Sequence, residues 1–147
     1  MCNQRNTGRS VSNKTLKMCT VNICGLSNRS KFVLNKFMDR ENIDILATQE
    51  TGTDDLSNLE LENTNVICDT NKAANKGTAL YIKKNYSITK LDNISKISKH
   101  LDSCWGLAVA HNKRYIIGNI YVKLNYKPAI QEVMNMLNAA KDKQREL

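Results

Sequence analysis

Glu50 is the first residue whose type and position suggest chemistry, because it closes an apolar segment of the chain. The segment DILATQETG, residues 44–52, reads as a buried strand that runs directly into this carboxylate. A carboxylate half-withdrawn from water needs a counter-charge, since burying it unpaired costs several kcal/mol. A Mg²⁺ ion can supply that charge through one or two carboxylates together with water and substrate phosphates. The plainer alternative is that Glu50 is a solvated loop residue or a cap.

A second polar side chain, Asn22, is predicted to reach the same edge of a sheet as Glu50. Residues 16–23 read as a strand that ends in a turn at Asn22, and the apolar residues of 27–42 recur at helical spacing. A strand–helix–strand unit with short connections normally gives two parallel strands with a right-handed crossover. Ligand sites in open α/β sheets gather where such strands end. We therefore expect an amide and a carboxylate side by side, although Asn22 could simply make the turn.

The remainder of the chain contains several short β segments and ends in a helix. Strands are predicted over 65–69, 77–85 and 88–92, and an antiparallel hairpin over 104–111 and 115–123. Pro128 opens a final amphipathic helix. This order predicts an α/β fold in which helices cover a mixed sheet. Residues 1–15 are polar and basic, and we expect them to form a flexible tail.

Length and composition restrict the class of protein. At 147 residues the chain has the size of one domain, and 41% apolar residues are enough for a core. No apolar run approaches the roughly 20 residues that a membrane span needs, and the start lacks the apolar stretch of a secretory signal. The 5 cysteines are scattered without a CxxC pair, which favours reduced, mostly buried thiols in an intracellular protein.

The charge of the chain is strongly positive and unevenly spread. The formal net charge is +8, and the stretch 71–100 sets a run of lysines against the single acidic residue Asp92. This balance favours a polyanionic partner, with nucleic acid ahead of acidic lipid. A solvated lysine-rich surface is the alternative. The candidate nucleic-acid-binding residues are Lys72, Lys76, Lys83 and Lys84.

Taken in order, these stretches resemble the endonuclease/exonuclease/phosphatase superfamily, and most of all the endonuclease domains of LINE-type (non-LTR) retrotransposons. The matching stretches are LKMCTVNICGLSNRSKFVLNKFMDRENIDILATQETG, KGTALYIKKN, and RYIIGNIYV followed by the helix from Pro128. They cover nearly all of 16–140. The resemblance implies the amino-terminal half of a four-layer α/β sandwich, with residues 16–147 as a partial domain that lacks its carboxyl-terminal half.

The resemblance also implies roles for three residues. Glu50 matches the glutamate that ligates the divalent metal, Mg²⁺ or alternatively Mn²⁺. Asn22 matches the asparagine that sits beside the metal. Tyr121 matches a tyrosine that contacts the scissile phosphate, and it is followed by Lys123 where the family usually has proline. Gln49 matches the residue before the metal ligand and has a supporting role.

Two later motifs of the superfamily do not occur in the sequence. One is of Gly-Asp-Phe-Asn type, and the other, of Ser-Asp-His type, supplies the catalytic histidine. His100 and His111 read as surface residues, so neither is expected to replace it. The resemblance therefore implies a truncated metal-dependent phosphodiesterase or DNA endonuclease domain that is inactive alone. The implied partners are DNA and the missing half of the domain, without a membrane or a small-molecule cofactor, and the family's role implies a nuclear location.

Half a sandwich carries a physical consequence if each half of the domain supplies mainly one sheet. One apolar sheet face would then lack a partner, and the chain would be marginally stable or prone to aggregate. Three other functions remain open at this stage. They are a catalytically dead nucleic-acid-binding remnant, a member of the phosphatase or sphingomyelinase branch of the superfamily, and an unrelated basic α/β domain with an interaction role.

Overall fold

The predicted β-α-β unit opens the part of the chain that the computed structural model describes, which is residues 15–53, 55–69, 76–123 and 126–147. Strand β1 (Met18–Asn22), helix α1 (Asn28–Glu41) and strand β2 (Ile45–Gln49) follow in order, and β1 pairs in parallel with β2. Helix α1 begins at a reciprocal cap in which Ser27 Oγ accepts from Ser30 N at 3.1 Å and Ser30 Oγ accepts from Ser27 N at 2.7 Å.

Two further strands complete a first, mixed sheet. A short helix, α2 (Leu56–Leu59), leads to β3 (Thr64–Asp69), and β4 (Thr78–Lys83) follows. The strand order is β1-β2-β4-β3, with β4 antiparallel to both of its neighbours. The predicted strands 65–69 and 77–85 are therefore confirmed within one or two residues.

A second sheet contains β5 (Ser87–Lys90), β6 (Lys96–Ile97), β7 (Leu101–Ala110) and β8 (Lys113–Val122). Strands β7 and β8 form the predicted antiparallel hairpin over their whole length. Helix α3 (Tyr126–Arg145) follows the second sheet. It begins before Pro128, which is compatible with proline because the first turn of a helix leaves its N–H groups without intrahelical partners.

The apolar residues of the two sheets and two long helices form a four-layer α/β sandwich. On one face of the first sheet, Leu46 and Tyr81 pack against Leu34 and Met38 of α1. Because strand side chains alternate between faces, the other face meets the second sheet. That inter-sheet cluster contains Ile45, Ala47, Leu80, Ile82, Cys104, Ala108 and Ile117. The fourth layer is α3, whose Ala129, Met136 and Ala140 cover Leu101 and Trp105.

This layering corrects one sequence expectation. The two sheets do not come mainly from different halves of a domain, because the described residues of this one chain supply both and pack them face to face. The expectation of a sheet face without a partner is wrong for this reason. Among the described residues β1 and β8 are edge strands, since β1 pairs with β2 alone and β8 with β7 alone, and the other edges, β3 and β5 with β6, are likewise paired on one side only.

Two other sequence expectations concern cysteines and membranes. In the described part of the chain Cys19, Cys24, Cys68 and Cys104 are all free thiols, and the last two are buried. Cys24 is exposed, so burial is less general than expected. Within the same residues, no helix has both the length and the apolar character that a membrane crossing requires.

Candidate active site

Glu50 stands at the carboxyl end of β2, where the backbone leaves the sheet abruptly. Its φ of 56° lies in the left-handed region, which a residue with a Cβ adopts only at a cost. Two backbone bonds secure the turn: Gly25 N donates to the Glu50 carbonyl at 2.7 Å, and Leu26 N donates to the Thr51 carbonyl at 2.9 Å. Strained non-glycine backbone of this kind is concentrated at functional sites in proteins.

The neighbouring strand brings Asn22 to the same edge. Asn22 is the last residue of β1 and lies opposite Gln49 in the parallel register. Its Oδ1 accepts from Cys24 N at 3.1 Å, which closes the turn, and its side chain lies near the Glu50 carboxylate and lowers the pKa of that group. The Cys24 thiol also lies against this carboxylate. The amide and the carboxylate that the sequence predicts to meet are therefore brought together.

Tyr121 reaches the same carboxylate from the second sheet. It is the penultimate residue of β8, and its hydroxyl donates to Glu50 Oε1 at 2.6 Å. The site thus closes across the two sheets, with Asn22 and Glu50 from one and Tyr121 from the other. The structure places all three residues singled out in the sequence at one site, where Tyr121 bonds Glu50 and Asn22 lies beside it.

The hydrogen bonds fix the protonation states of this group. The pKa of Glu50 is lowered, chiefly by the bond from the Tyr121 hydroxyl and then by the neighbouring Asn22 side chain. The same bond raises the pKa of Tyr121, because ionising the phenol would remove the donor and set two negative charges together. The bond to Glu50 raises the pKa of the Cys24 thiol as well. At neutral pH the group therefore holds one carboxylate and two protonated donors.

A buried amide below the site ties the sheets together, and the sequence analysis missed it. Asn119 is 3% exposed, and its Nδ2 donates to the Thr48 carbonyl at 2.8 Å and to the Ala79 carbonyl at 3.0 Å. Gln49 Nε2 donates to Asn119 Oδ1 at 2.6 Å and to Thr20 Oγ1 at 2.9 Å. Gln49 thus supports the site from below. The strand alternation could have pointed to Asn119, since it occupies the inward-facing position of β8 between Ile117 and Tyr121.

The four lysines predicted to bind nucleic acid do not form one cluster. Lys76 lies at the end of the sheet that holds Glu50, because its carbonyl accepts from Gly52 N at 2.8 Å. Lys83 ends β4, which runs antiparallel to β2, so it and Lys84 lie at the opposite end. Lys83 Nζ is paired there with Asp44 Oδ1 at 3.0 Å. Lys72 falls outside the described residues.

The two histidines lie apart from Glu50 in different ways. His111 is in the β7–β8 turn, at the far end of the hairpin from Tyr121, and its Nε2 lies 2.9 Å from the Tyr86 hydroxyl. His100 precedes β7 at the near end, where its carbonyl accepts from Lys123 N at 2.8 Å. Both are half-buried rather than fully exposed. Within the described residues no group of three or more His, Cys, Asp or Glu side chains is placed to hold a metal.

Comparisons with known proteins bear on the fold. No protein-family model and no curated protein matches the sequence. Among solved structures, the endonuclease domain of TRAS1, a telomere-specific non-LTR retrotransposon, superposes with a TM-score of 0.63 at 10% identity, over 88% of this chain and 54% of that one. A humanized TDP2 from D. rerio carrying 14 mutations superposes with a TM-score of 0.56 at 12% identity, over 89% of this chain and 56% of that one.

The chain has the endonuclease/exonuclease/phosphatase fold. The fold implied by the sequence resemblance is therefore confirmed, and one of the two neighbours is a retroelement endonuclease domain of the kind that the resemblance named. The chain spans a little over half the length of each neighbour.

Proposed function

We propose that this chain is part of a divalent-metal-dependent phosphodiesterase of the retroelement endonuclease type, acting on DNA. One observation carries the proposal: the ionised Glu50 carboxylate is held by neutral donors only. Tyr121, Asn22 and Cys24 surround it, and no lysine or arginine of the described residues pairs with it. A carboxylate so arranged is suited to receive a cation.

The residues present fit a Mg²⁺ or Mn²⁺ ion by the chemistry of their donors. Glu50 offers carboxylate oxygens and Asn22 an amide oxygen, and hard divalent cations take oxygen ligands while keeping several waters. When bound there, such an ion would supply positive charge to a phosphate and acidify a water molecule. With few protein ligands on the described residues, the ion would depend on substrate phosphate to complete its coordination.

The part that Tyr121 plays follows from its protonation. Because the pKa of the phenol is raised, Tyr121 stays protonated at neutral pH and acts as a hydrogen-bond donor rather than as a base. Its hydroxyl, already 2.6 Å from Glu50 Oε1, can donate to a phosphate oxygen held beside that carboxylate. Asn22 orients Glu50 from the other side. These residues bind and orient a phosphodiester.

Hydrolysis also needs a base for the attacking water, and the described residues at the site offer none. Tyr121 and Cys24 are held protonated, and the bond network assigns Glu50 to accepting hydrogen bonds. The chain alone should therefore bind cation and phosphate with little turnover. The remaining catalytic groups would come from a partner segment. The proposal also includes the nuclear location that the resemblance implies.

The open edges of β1 and β8 support a place for such a segment. Edge strands present unpaired N–H and C=O groups that readily pair with a further strand. A cleft of about 820 Å³ runs between the edges of β1 and β8, and Leu16, Met18, Tyr115 and Ile116 are among its lining residues. This apolar cleft continues the inter-sheet core. A carboxyl-terminal half of the domain would extend both sheets here.

A nucleic-acid-binding remnant without cleavage is the second candidate, and the net charge of +8 favours it. For this candidate, affinity for a DNA duplex should fall steeply with salt, while plasmid nicking with Mg²⁺ stays absent even when the carboxyl-terminal half is added. If the carboxyl-terminal half, added in trans, restores nicking, the remnant is excluded.

Terbium luminescence tests the proposed cation site without relying on turnover. Tb³⁺ is a hard, oxygen-seeking cation, and a tyrosine beside it sensitises its emission. We expect emission from the wild-type chain on titration with Tb³⁺, loss of most of it in Glu50→Gln, and reduced sensitisation in Tyr121→Phe. The matched control is Glu60→Gln, an exposed acidic residue of a different loop. Equal Tb³⁺ affinity in Glu50→Gln and Glu60→Gln would remove Glu50 from the site.

A further inference from the structure

A charged residue that the proposed chemistry does not use is completely buried beside the site. Asp102 of β7 is 0% exposed and lies opposite Tyr121 in the hairpin register. A buried carboxylate is tolerated only where charge and hydrogen bonds compensate its lost hydration. Its contacts therefore show what the residue is held for.

The first partner of Asp102 is the lysine that stands where the family usually has proline. Lys123 Nζ lies 2.7 Å from Asp102 Oδ1, and the Lys123 side chain is 14% exposed. The same ammonium donates to the Ser98 carbonyl at 2.7 Å. Lys123 follows Tyr121 by two residues, so the ion pair fixes the end of the strand that carries the phenol.

The second partner leads to Glu50. Gly77 N donates to Asp102 Oδ2 at 3.1 Å. The carbonyl of Gly77 in turn accepts from Thr51 N at 3.3 Å, and the carbonyl next to it, of Lys76, accepts from Gly52 N at 2.8 Å. Through Gly77, Asp102 therefore anchors the backbone segment that hydrogen-bonds the two residues directly after Glu50. Glu50 itself has a left-handed backbone.

We infer that the Asp102–Lys123 ion pair is a positioning device that sets Glu50 and Tyr121 at hydrogen-bond distance from each other. One carboxylate is bonded to the Tyr121 end of β8 through Lys123 and to the Glu50 turn through Gly77. The residues of the pair are positioning residues, since neither touches the carboxylate of Glu50. The inference deepens the proposed function and rests on it for its importance, although the geometry that it describes exists without a cation.

The chain supplies a matched control at the opposite end of the first sheet. Lys83 Nζ pairs with Asp44 Oδ1 at 3.0 Å, and both side chains are largely buried, at 29% and 11% exposure. Lys83→Met removes a lysine from a partly buried ion pair in the same way as Lys123→Met. Any effect on the Tyr121 signal or on Tb³⁺ affinity that comes only from weakened packing should therefore appear in both variants.

The decisive measurement is made on the full chain in cation-free buffer. The NMR signal of Tyr121 Cζ, labelled isotopically and assigned by its disappearance in Tyr121→Phe, reports the hydrogen bond of the phenol. We expect this signal to move in Lys123→Met and in Asp102→Asn, to stay in Lys83→Met, and to return towards its original position in Lys123→Arg. An unmoved signal in a folded Lys123→Met overturns the inference. If Asp102→Asn does not fold, as judged by circular dichroism, the lysine series decides alone.

Tb³⁺ titration of the same variants separates this inference from the proposed function. Lys123→Met should weaken Tb³⁺ binding by about tenfold, a typical effect of residues that orient metal ligands, while Lys83→Met leaves it unchanged. If the wild-type chain binds no Tb³⁺ but the Tyr121 signal still moves in Lys123→Met, the cation site fails and the positioning role stands. If Lys123→Met and Lys83→Met lose the same affinity, positioning is excluded.

Discussion

Strand β2 carries a carboxylate just before its first residue and another just after its last, and the two are treated in opposite ways. Asp44 is 8% exposed, accepts from Lys17 N at 2.9 Å, and is neutralised by Lys83 Nζ at 3.0 Å. Glu50, at the other end, accepts from the uncharged Tyr121, lies near the uncharged Asn22, and has no cationic partner among the described residues. The carboxylate at one end of the strand is neutralised by an ion pair, and the carboxylate at the other end keeps its negative charge uncompensated.

The difference separates a stabilising carboxylate from one available for binding. A fold can offset the free-energy cost of removing a carboxylate from water by pairing it with a lysine, as it does at Asp44. At Glu50 it uses neutral hydrogen bonds, which lower the pKa of the carboxylate but leave its charge uncompensated. Left-handed backbone does not follow this division, since Glu50 and Cys24 have φ of 56° and 48° at one end, and Asn42 and Asn63 have φ of 52° and 54° at the other. Uncompensated charge, and not backbone conformation, therefore distinguishes the two ends of the sheet.

The largest expected effect comes from neutralising each carboxylate in turn. Glu50→Gln should remove most of the Tb³⁺ or Mn²⁺ binding, because it removes the charge that attracts the ion, and should change stability little. Asp44→Asn should do the reverse, lowering the free energy of unfolding by about 1–3 kcal/mol as Lys83 loses its partner. Cation titration and urea denaturation of both variants measure the contrast. It would break down if Asp44→Asn lost cation affinity as Glu50→Gln does.

Removing a buried amide should also distinguish the two ends. Asn119→Ala leaves the Thr48 and Ala79 carbonyls and the Gln49 amide without their partner, so we expect a loss of about 2 kcal/mol in urea denaturation. The control is Asn65→Ala. Asn65 Nδ2 donates to the Tyr86 carbonyl at 2.7 Å at the other end of the sheets, where the residue is half-exposed. A loss in Asn65→Ala as large as that in Asn119→Ala would show that the site end has no special dependence on its amide.

The pH dependence of cation binding should sharpen the assignment of the bond between Tyr121 and Glu50. Glu50 has a folded pKa below its ordinary value of 4.5. Because the cation needs the ionised carboxylate, cation affinity should be full above pH 4.5 and should be lost only as pH falls through the lower folded pKa. In Tyr121→Phe the largest cause of the lowering is gone, and the loss of cation affinity should begin at higher pH. Tb³⁺ titrations at a series of pH values test this. Identical profiles for the two proteins would contradict the assignment.

The smallest expected effect concerns the lysines. If DNA lies over the Glu50 end, Lys76→Met should reduce the slope of log affinity against log salt by about 1. Lys84→Met, at the opposite end, should leave the slope unchanged. Duplex binding followed by fluorescence anisotropy at several salt concentrations provides the measurement. Equal effects of the two variants would indicate a diffuse contact with the basic surface rather than a footprint centred on the site.

The sequence predicted most of the elements, though not the short α2 and β6, and the convergence of three residues, but it could not supply the supports between them. Periodicity and short connections are local signals, so β1, α1, β2 and the β7–β8 hairpin were readable. The resemblance then pointed to Tyr121. Asp102 was not readable as an anchor, because its partners Lys123 and Gly77 meet it only after the hairpin and the first sheet have docked. The separation of Lys83 from Lys76 likewise depends on the antiparallel direction of β4.

The bond between Tyr121 and Glu50 joins positions that are 71 residues apart in the chain. No fragment holding only one of the two sheets can form it, so the candidate site comes into being with the closed sandwich and disappears when the sheets part. Any ion that binds there selects the closed form and should raise the unfolding temperature in proportion to the logarithm of its concentration. Binding of an ion at the site and folding of the inter-sheet core are therefore linked equilibria.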